Sequence, residues 1–83
     1  MIKLKFDLYH GQTFLSSIFF AVSLDELRDE GKRHYEKCKI TCLSDTDLLT
    51  AGQKCLEKFW ATQLQQRESF ESLKIEWIYD YEQ

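Results

Sequence analysis

The chain has no proline and only three glycines, three cysteines and two histidines among its 83 residues. Without proline there is no stiff extended linker, and three scattered glycines cannot build a glycine-rich phosphate loop. An odd number of cysteines cannot pair completely within one chain. With no secreted-scaffold spacing, that count points to a reducing compartment, so a cytoplasmic location is expected. No apolar run approaches the roughly 18 residues of a membrane span. Basic charge is also short: eleven Lys and Arg against fourteen Asp and Glu leave a net charge of −3, which argues against wholesale coating of nucleic acid.

What is present is an ordinary folded mixture, 43% hydrophobic and 30% charged, which excludes intrinsic disorder. A chain of this length buries only roughly 60–65% of its unfolded surface, so a single compact domain over residues 1–83 is expected. Aromatic residues, 14% of the chain, supply large buried areas for such a core. Charge is unevenly distributed. Lys32, Arg33, Lys37 and Lys39 form a basic run diluted by Glu36, whereas Glu68, Glu71, Glu76, Asp80 and Glu82 face only Lys74 near the end. A basic Met1–Lys5 followed by an apolar Phe14–Val22 loosely imitates a signal peptide. Asp7, His10, Gly11 and Gln12 interrupt it, and a strand explains the segment better.

Ile2, Leu4, Phe6 and Leu8 alternate with Lys3, Lys5, Asp7 and Tyr9, the period-two pattern of a half-buried strand. A second strand starts at Phe14. A three-residue loop, Tyr9-His10-Gly11, sets Phe6 opposite Phe14 and Ile2 opposite Ile18, turning Phe14, Ser16, Ile18, Phe20 and Val22 inward. A two-residue loop buries Leu15, Ser17, Phe19 and Ala21 instead, because a slip of one residue reverses every side chain. The first set is the more apolar and is preferred. Ser23 and Glu26 form a capping box for a helix from about Leu24 to Cys38, with Leu24, Leu27, Gly31, Tyr35 and Cys38 on one face. Gly31 either weakens that helix by about 1 kcal/mol or permits close packing. Ser44 and Asp47 open a second helix, from about Asp45 to Gln66, with a stripe of Leu48, Gly52, Cys55, Leu56, Phe59, Trp60 and Leu64. Leu73, Ile75, Trp77, Tyr79 and Tyr81 then share one face of a last strand. The order ββααβ predicts a two-layer α+β domain, with two helices on one face of a three-stranded, mainly antiparallel sheet. Pairing of the last strand beside the second keeps the sheet antiparallel, and is the preferred order.

No motif of catalysis or cofactor binding emerges, and a non-enzymatic role is expected. His34, Cys38 and Cys42, at i, i+4 and i+8, would line up three metal-competent side chains on one unbroken helix, with Cys55 or His10 completing a set for zinc. The spacing matches no established zinc pattern, and buried cysteines commonly act as small hydrophobes. Lys32, Arg33, Lys37 and Lys39, with Tyr35, offer a nucleic-acid alternative. Against it stands the plain reading of a solvated helix face favoured by the helix dipole.

The preferred register instead turns Leu15, Phe19 and Ile78 outward as apolar contacts, rimmed by Lys3, Lys5, Lys74, Glu76 and Asp80. A sheet face of this kind suits a larger protein partner or a homodimer. Glu71, Glu76, Asp80 and Glu82, interspersed with Trp77, Tyr79 and Tyr81, could also meet a basic groove. In size, acidity and lack of catalytic residues the chain resembles phage-type inhibitors of host defence. That resemblance is one of class, assigns no residue, and implies an acidic binder that places charge where phosphates would lie. The expected function is therefore a protein-interaction module using Leu15, Phe19, Ile78, Glu76, Asp80 and Glu82, possessing no cofactor and no membrane association.

Overall fold

The computed structural model describes residues 2–41 and 44–79. Strands β1 (Ile2–His10) and β2 (Thr13–Val22), helices α1 (Leu24–Cys38) and α2 (Asp45–Arg67), and strand β3 (Ser72–Tyr79) follow in the expected ββααβ order. The three strands form one antiparallel sheet ordered β2-β1-β3, giving an α+β fold. The described residues fall into two compact units. One holds the sheet strands with residues 62–79, the other residues 23–41 and 44–61.

In the sheet unit, β1 is central and its pattern decides the two faces. Ile2, Leu4, Phe6 and Leu8 are buried, while the alternate side chains from Lys3 to Tyr9 are half-buried. Opposed residues in antiparallel strands share a face. The same face therefore continues through Val22, Phe20, Ile18 and Ser16 on β2 and Tyr79, Trp77, Ile75 and Leu73 on β3, where Val22 is buried while Ser16, Ile75 and Tyr79 at its margins are exposed. The Phe6 and Phe20 rings meet edge to face at 5.8 Å.

Two expectations about this sheet are corrected. The hairpin loop is two residues, Gly11-Gln12, between the pair His10 and Thr13, and Gly11 supplies the positive φ of 62°. Phe6 consequently faces Ile18 and Ile2 faces Val22, in place of Phe14 and Ile18. A two-residue loop alone would have turned the wrong side of β2 inward. A bulge where Leu8 pairs with Ser16 but Tyr9 with Phe14 absorbs the extra Leu15 and restores the apolar set beyond it. Only Phe14 is lost from the inner face. It pairs with Tyr9, their rings 5.8 Å apart.

The second correction is that β3 pairs with β1 and not with β2, and does so antiparallel. Helix α1 has 15 residues and α2 has 23. The chain leaves the sheet at Val22, beside Ile2, and starts β3 at Ser72, beside Tyr9. Glu71 fastens that start: its N–H donates to the Tyr9 carbonyl at 2.8 Å and its carboxylate accepts from the Gly11 N–H.

The second unit is an antiparallel helical hairpin whose ends are set by local chemistry. Ser23 Oγ accepts from the Glu26 N–H at 3.1 Å, and the Glu26 carboxylate accepts from the Ser23 N–H at 3.3 Å, forming the expected capping box. Ser44 Oγ accepts from the Asp47 N–H at 3.1 Å and caps α2. The Arg28 Nε donates to Asp45 at 2.7 Å and its other amines reach Asp25 and Asp45 at 3.3 Å. The hydrogen bond and charge of Arg28 hold the exposed Asp45 carboxyl below its usual range.

Helix α1 ends in a Schellman motif: Lys39 donates to the Glu36 carbonyl and Ile40 to the Tyr35 carbonyl, both at 3.1 Å. This requires Lys39 to adopt φ 56°, ψ 38°, a left-handed conformation that glycine takes without a Cβ penalty. Lys39→Gly should therefore raise stability by about 0.5–1 kcal/mol, as read from the urea midpoint. A lowered midpoint would mean that the Lys39 side chain contributes more than its backbone strain removes.

The two helices meet through a reciprocal contact. Leu27 and Gly31 are buried on α1, and Gly52 is buried on α2. A Cβ on Gly31 would lie 2.1 Å from the Leu48 carbonyl oxygen, and one on Gly52 would lie 2.0 Å from that of Leu27. Each glycine thus admits the backbone of a leucine four residues before the other glycine. The permissive reading of Gly31, close packing, is the one the fold uses. The predicted helix stripes are covered only in part, since Leu24 on α1 and Phe59 on α2 are exposed and Cys38 lies in solvent at the helix end.

Candidate interaction surface

The outer face of the sheet is built from rows that cross all three strands. From the Val22 end they run Ala21-Lys3-Ile78, Phe19-Lys5-Glu76 and Ser17-Asp7-Lys74, then Phe14-Tyr9-Ser72. The central column is polar, and Lys5, Asp7 and Tyr9 in it have partners within the sheet. Ser17 Oγ lies 2.5 Å from the Asp7 carboxylate, and Lys5 Nζ sits 3.6 Å from Asp7 and 3.8 Å from Glu76. Lys74 Nζ stands 5.3 Å from the centre of the Tyr9 ring, within cation–π range.

This arrangement separates residues that the sequence grouped together. Phe19, 52% exposed, lies on β2, while half-buried Ile78 lies on β3 with Lys3 and Lys5 between their strands. The apolar character concentrates on one side instead: Phe14, Leu15 and Phe19 on β2 are all exposed large hydrophobics. Leu15 is at the bulge. Glu76 is exposed but bridged to Lys5, and Glu71 is held by Gly11, so neither carboxylate stands alone as acidic bait. Asp80 and Glu82 lie outside the described residues.

Strand β2 is also an edge. Its ten residues, Thr-Phe-Leu-Ser-Ser-Ile-Phe-Phe-Ala-Val, contain no charge and no proline, and no described strand pairs with its far side. Edges are ordinarily blunted with lysine, proline or inward charges. The opposite edge follows that habit, since β3 carries Lys74 and Glu76. Sequence reading missed Phe14 and Tyr9 as members of the outer surface, because the bulge that turns Phe14 outward leaves no glycine or proline as a marker.

The alternative sites are dispersed. Lys32 and Lys39 line a groove of about 460 Å³ in the helical hairpin, with Tyr35, Glu36, Ile40 and Leu48 among its walls. Arg33 instead pairs with Glu30 at 3.1 Å, and Lys37 is exposed in the last turn of α1. The basic run therefore does not share one surface of the groove. Cys38 Sγ approaches His34 Nε2 at 3.9 Å, and His34 shares a separate hollow with Cys55, Ala51, Lys54 and Lys58. The unbroken helix needed to add Cys42 does not exist, because α1 ends at Cys38 and Lys39 turns left-handed. Cys42 itself lies outside the described residues, and His10 is exposed at the end of β1. Among the described residues no three His, Cys, Asp or Glu side chains gather as a metal site, and none of the described helices is long and apolar enough to cross a membrane.

No known protein family, curated protein or solved structure matches this chain.

Proposed function

We propose that this protein is a non-enzymatic interaction module that binds protein through the β2 side of its sheet. The observation that carries the reading is an uncharged, proline-free edge strand beside exposed Phe14, Leu15 and Phe19. Backbone N–H and C=O groups along such an edge accept a further strand, while the neighbouring side chains select which one. Apolar contact dominates this surface. The alternative of an acidic inhibitor of a nucleic-acid-handling complex has less support, because Glu71 and Glu76 already have partners within the chain. Free Cys38 and Cys55 accord with work in a reducing compartment such as the cytoplasm.

The test is affinity capture from source-cell extract with the wild-type chain and with Phe19→Lys, followed by mass spectrometry. A protein retained by the wild type and reduced about tenfold or more by the substitution, a loss of about 1.4 kcal/mol, is the expected result. Equal retention by both would remove β2 as the contact. Recovery of nucleic acid, lost on replacing Lys32 and Lys39, would move the function to the helical hairpin.

A further inference from the structure

From the β2 edge we infer that its partner is a second copy of this chain, the two β2 strands pairing antiparallel about a two-fold axis at Phe19. This rests on the reading of β2 as the contact surface and specifies what occupies it.

Three features lead there. First, an open edge presents a row of backbone donors and acceptors that only another extended strand can satisfy in register. Second, the chain is 30% charged, yet the ten residues of β2 carry no charge at all. A basic or acidic partner strand would find no opposite charge along β2 to select it. A neutral strand would meet no repulsion, and every copy of the molecule carries one. Third, the bulge at Leu15 limits the regular template. Pairing is unbroken from Ser16 to Val22 and shifts before Phe14, and bulges commonly terminate pairing.

The central residue of that regular run is Phe19. A closed two-fold contact uses the same patch on both copies. Centring it on this run sets Phe19 opposite Phe19 of the second copy, Ser17 opposite Ala21, and Ile18 opposite Phe20. Directly opposed residues share a face, so the two exposed Phe19 rings meet on the outer surface, where aromatic cross-strand pairs are favourable. The product is one continuous six-stranded sheet ordered β3-β1-β2-β2-β1-β3, with the charged β3 strands at both ends. Uncharged edges are thereby paired, and the edges left open are those bearing Lys74 and Glu76.

The experiment is sedimentation velocity on the full chain over a dilution series, with Phe19→Lys, Phe19→Asp and their equimolar mixture. The wild type should dimerise. Each variant alone should dissociate about tenfold or more readily, because like charges then face each other across the axis. The mixture should recover a dimer, by charge complementation at the same position, and isotope-labelled native mass spectrometry should show it to be mixed. Ile78→Lys, on the opposite edge, should leave the dimer unchanged. Circular dichroism on each variant checks that the fold is intact. If a Phe19 variant does not fold, the double variants Ser17→Lys/Ala21→Lys and Ser17→Asp/Ala21→Asp make the same test. Residues 17 and 21 face each other across the axis, so each double variant alone opposes like charges and the mixture complements them. A wild-type chain that stays monomeric at the highest concentration would overturn the dimer, as would variants that dimerise like wild type or a mixture that stays monomeric. Should the dimer fail while Phe19→Lys still abolishes capture of another protein, the interaction reading stands. If capture is also unaffected, both fall.

Discussion

Gly31→Ala and Gly52→Ala are each expected to destabilise the protein by about 2–4 kcal/mol, despite improving local helix propensity. Propensity alone predicts the opposite sign, a gain of about 1 kcal/mol for alanine over glycine within a helix. The added methyl, however, would stand 2.1 Å or 2.0 Å from a carbonyl oxygen of the facing helix. That oxygen belongs to backbone inside a hydrogen-bonded helix and cannot rotate away as a side-chain tip could. The helices must separate locally, and Leu27, wholly buried, would lose packing as they do. Since 83 residues correspond to about 4–12 kcal/mol of total stability, either change consumes a large share of it. Urea unfolding decides the matter by sign. An unchanged or raised midpoint in either variant would show that the close approach is not maintained in solution. The double variant should cost less than the two single losses added together, because the first methyl already opens the gap that the second needs.

These glycines also show where a sequence becomes hard to read. Ser23 with Glu26 and Ser44 with Asp47 mark their helix starts because donor and acceptor lie three residues apart. The alternation from Ile2 to Leu8 and from Leu73 to Tyr79 assigns faces correctly for a similar reason: a period of two is a property of each strand alone. Gly31 left two meanings open because its partner backbone, at Leu48, is distant in sequence. Strand order is not a property of any one strand's pattern, and register depends on a bulge with no distinctive residue. The candidate surface divides along the same line. That Phe19 and Ile78 point outward was legible from alternation and a choice of register. That Lys3 and Lys5 lie between their strands, and that β2 is an open edge, follows only once β1 occupies the centre.

The assignment of faces meets its sharpest test in two phenylalanines truncated in the same way. Phe6 is fully buried on the central strand, opposite Ile18 and Ile75, with its ring edge-on to Phe20. Phe6→Ala should cost about 3–5 kcal/mol, the sum of lost transfer energy and a cavity that the paired strands cannot close by moving together. Phe19 lies on β2 one row away and on the opposite face, 52% exposed. Phe19→Ala should change stability by no more than about 0.5 kcal/mol, provided that unfolding is measured where each variant is monomeric, because subunit association would add concentration-dependent stability. The comparison controls for residue type and unfolded-state chemistry, leaving position in the sheet as the difference. A shift of β2 by one residue would turn Phe19 into the core and Ile18 out of it. A larger loss for Phe19→Ala than for Phe6→Ala would therefore contradict the register. It would also remove the exposed aromatic on which the two-fold pairing is centred, because a Phe19 side chain committed to the core cannot meet its counterpart across an edge.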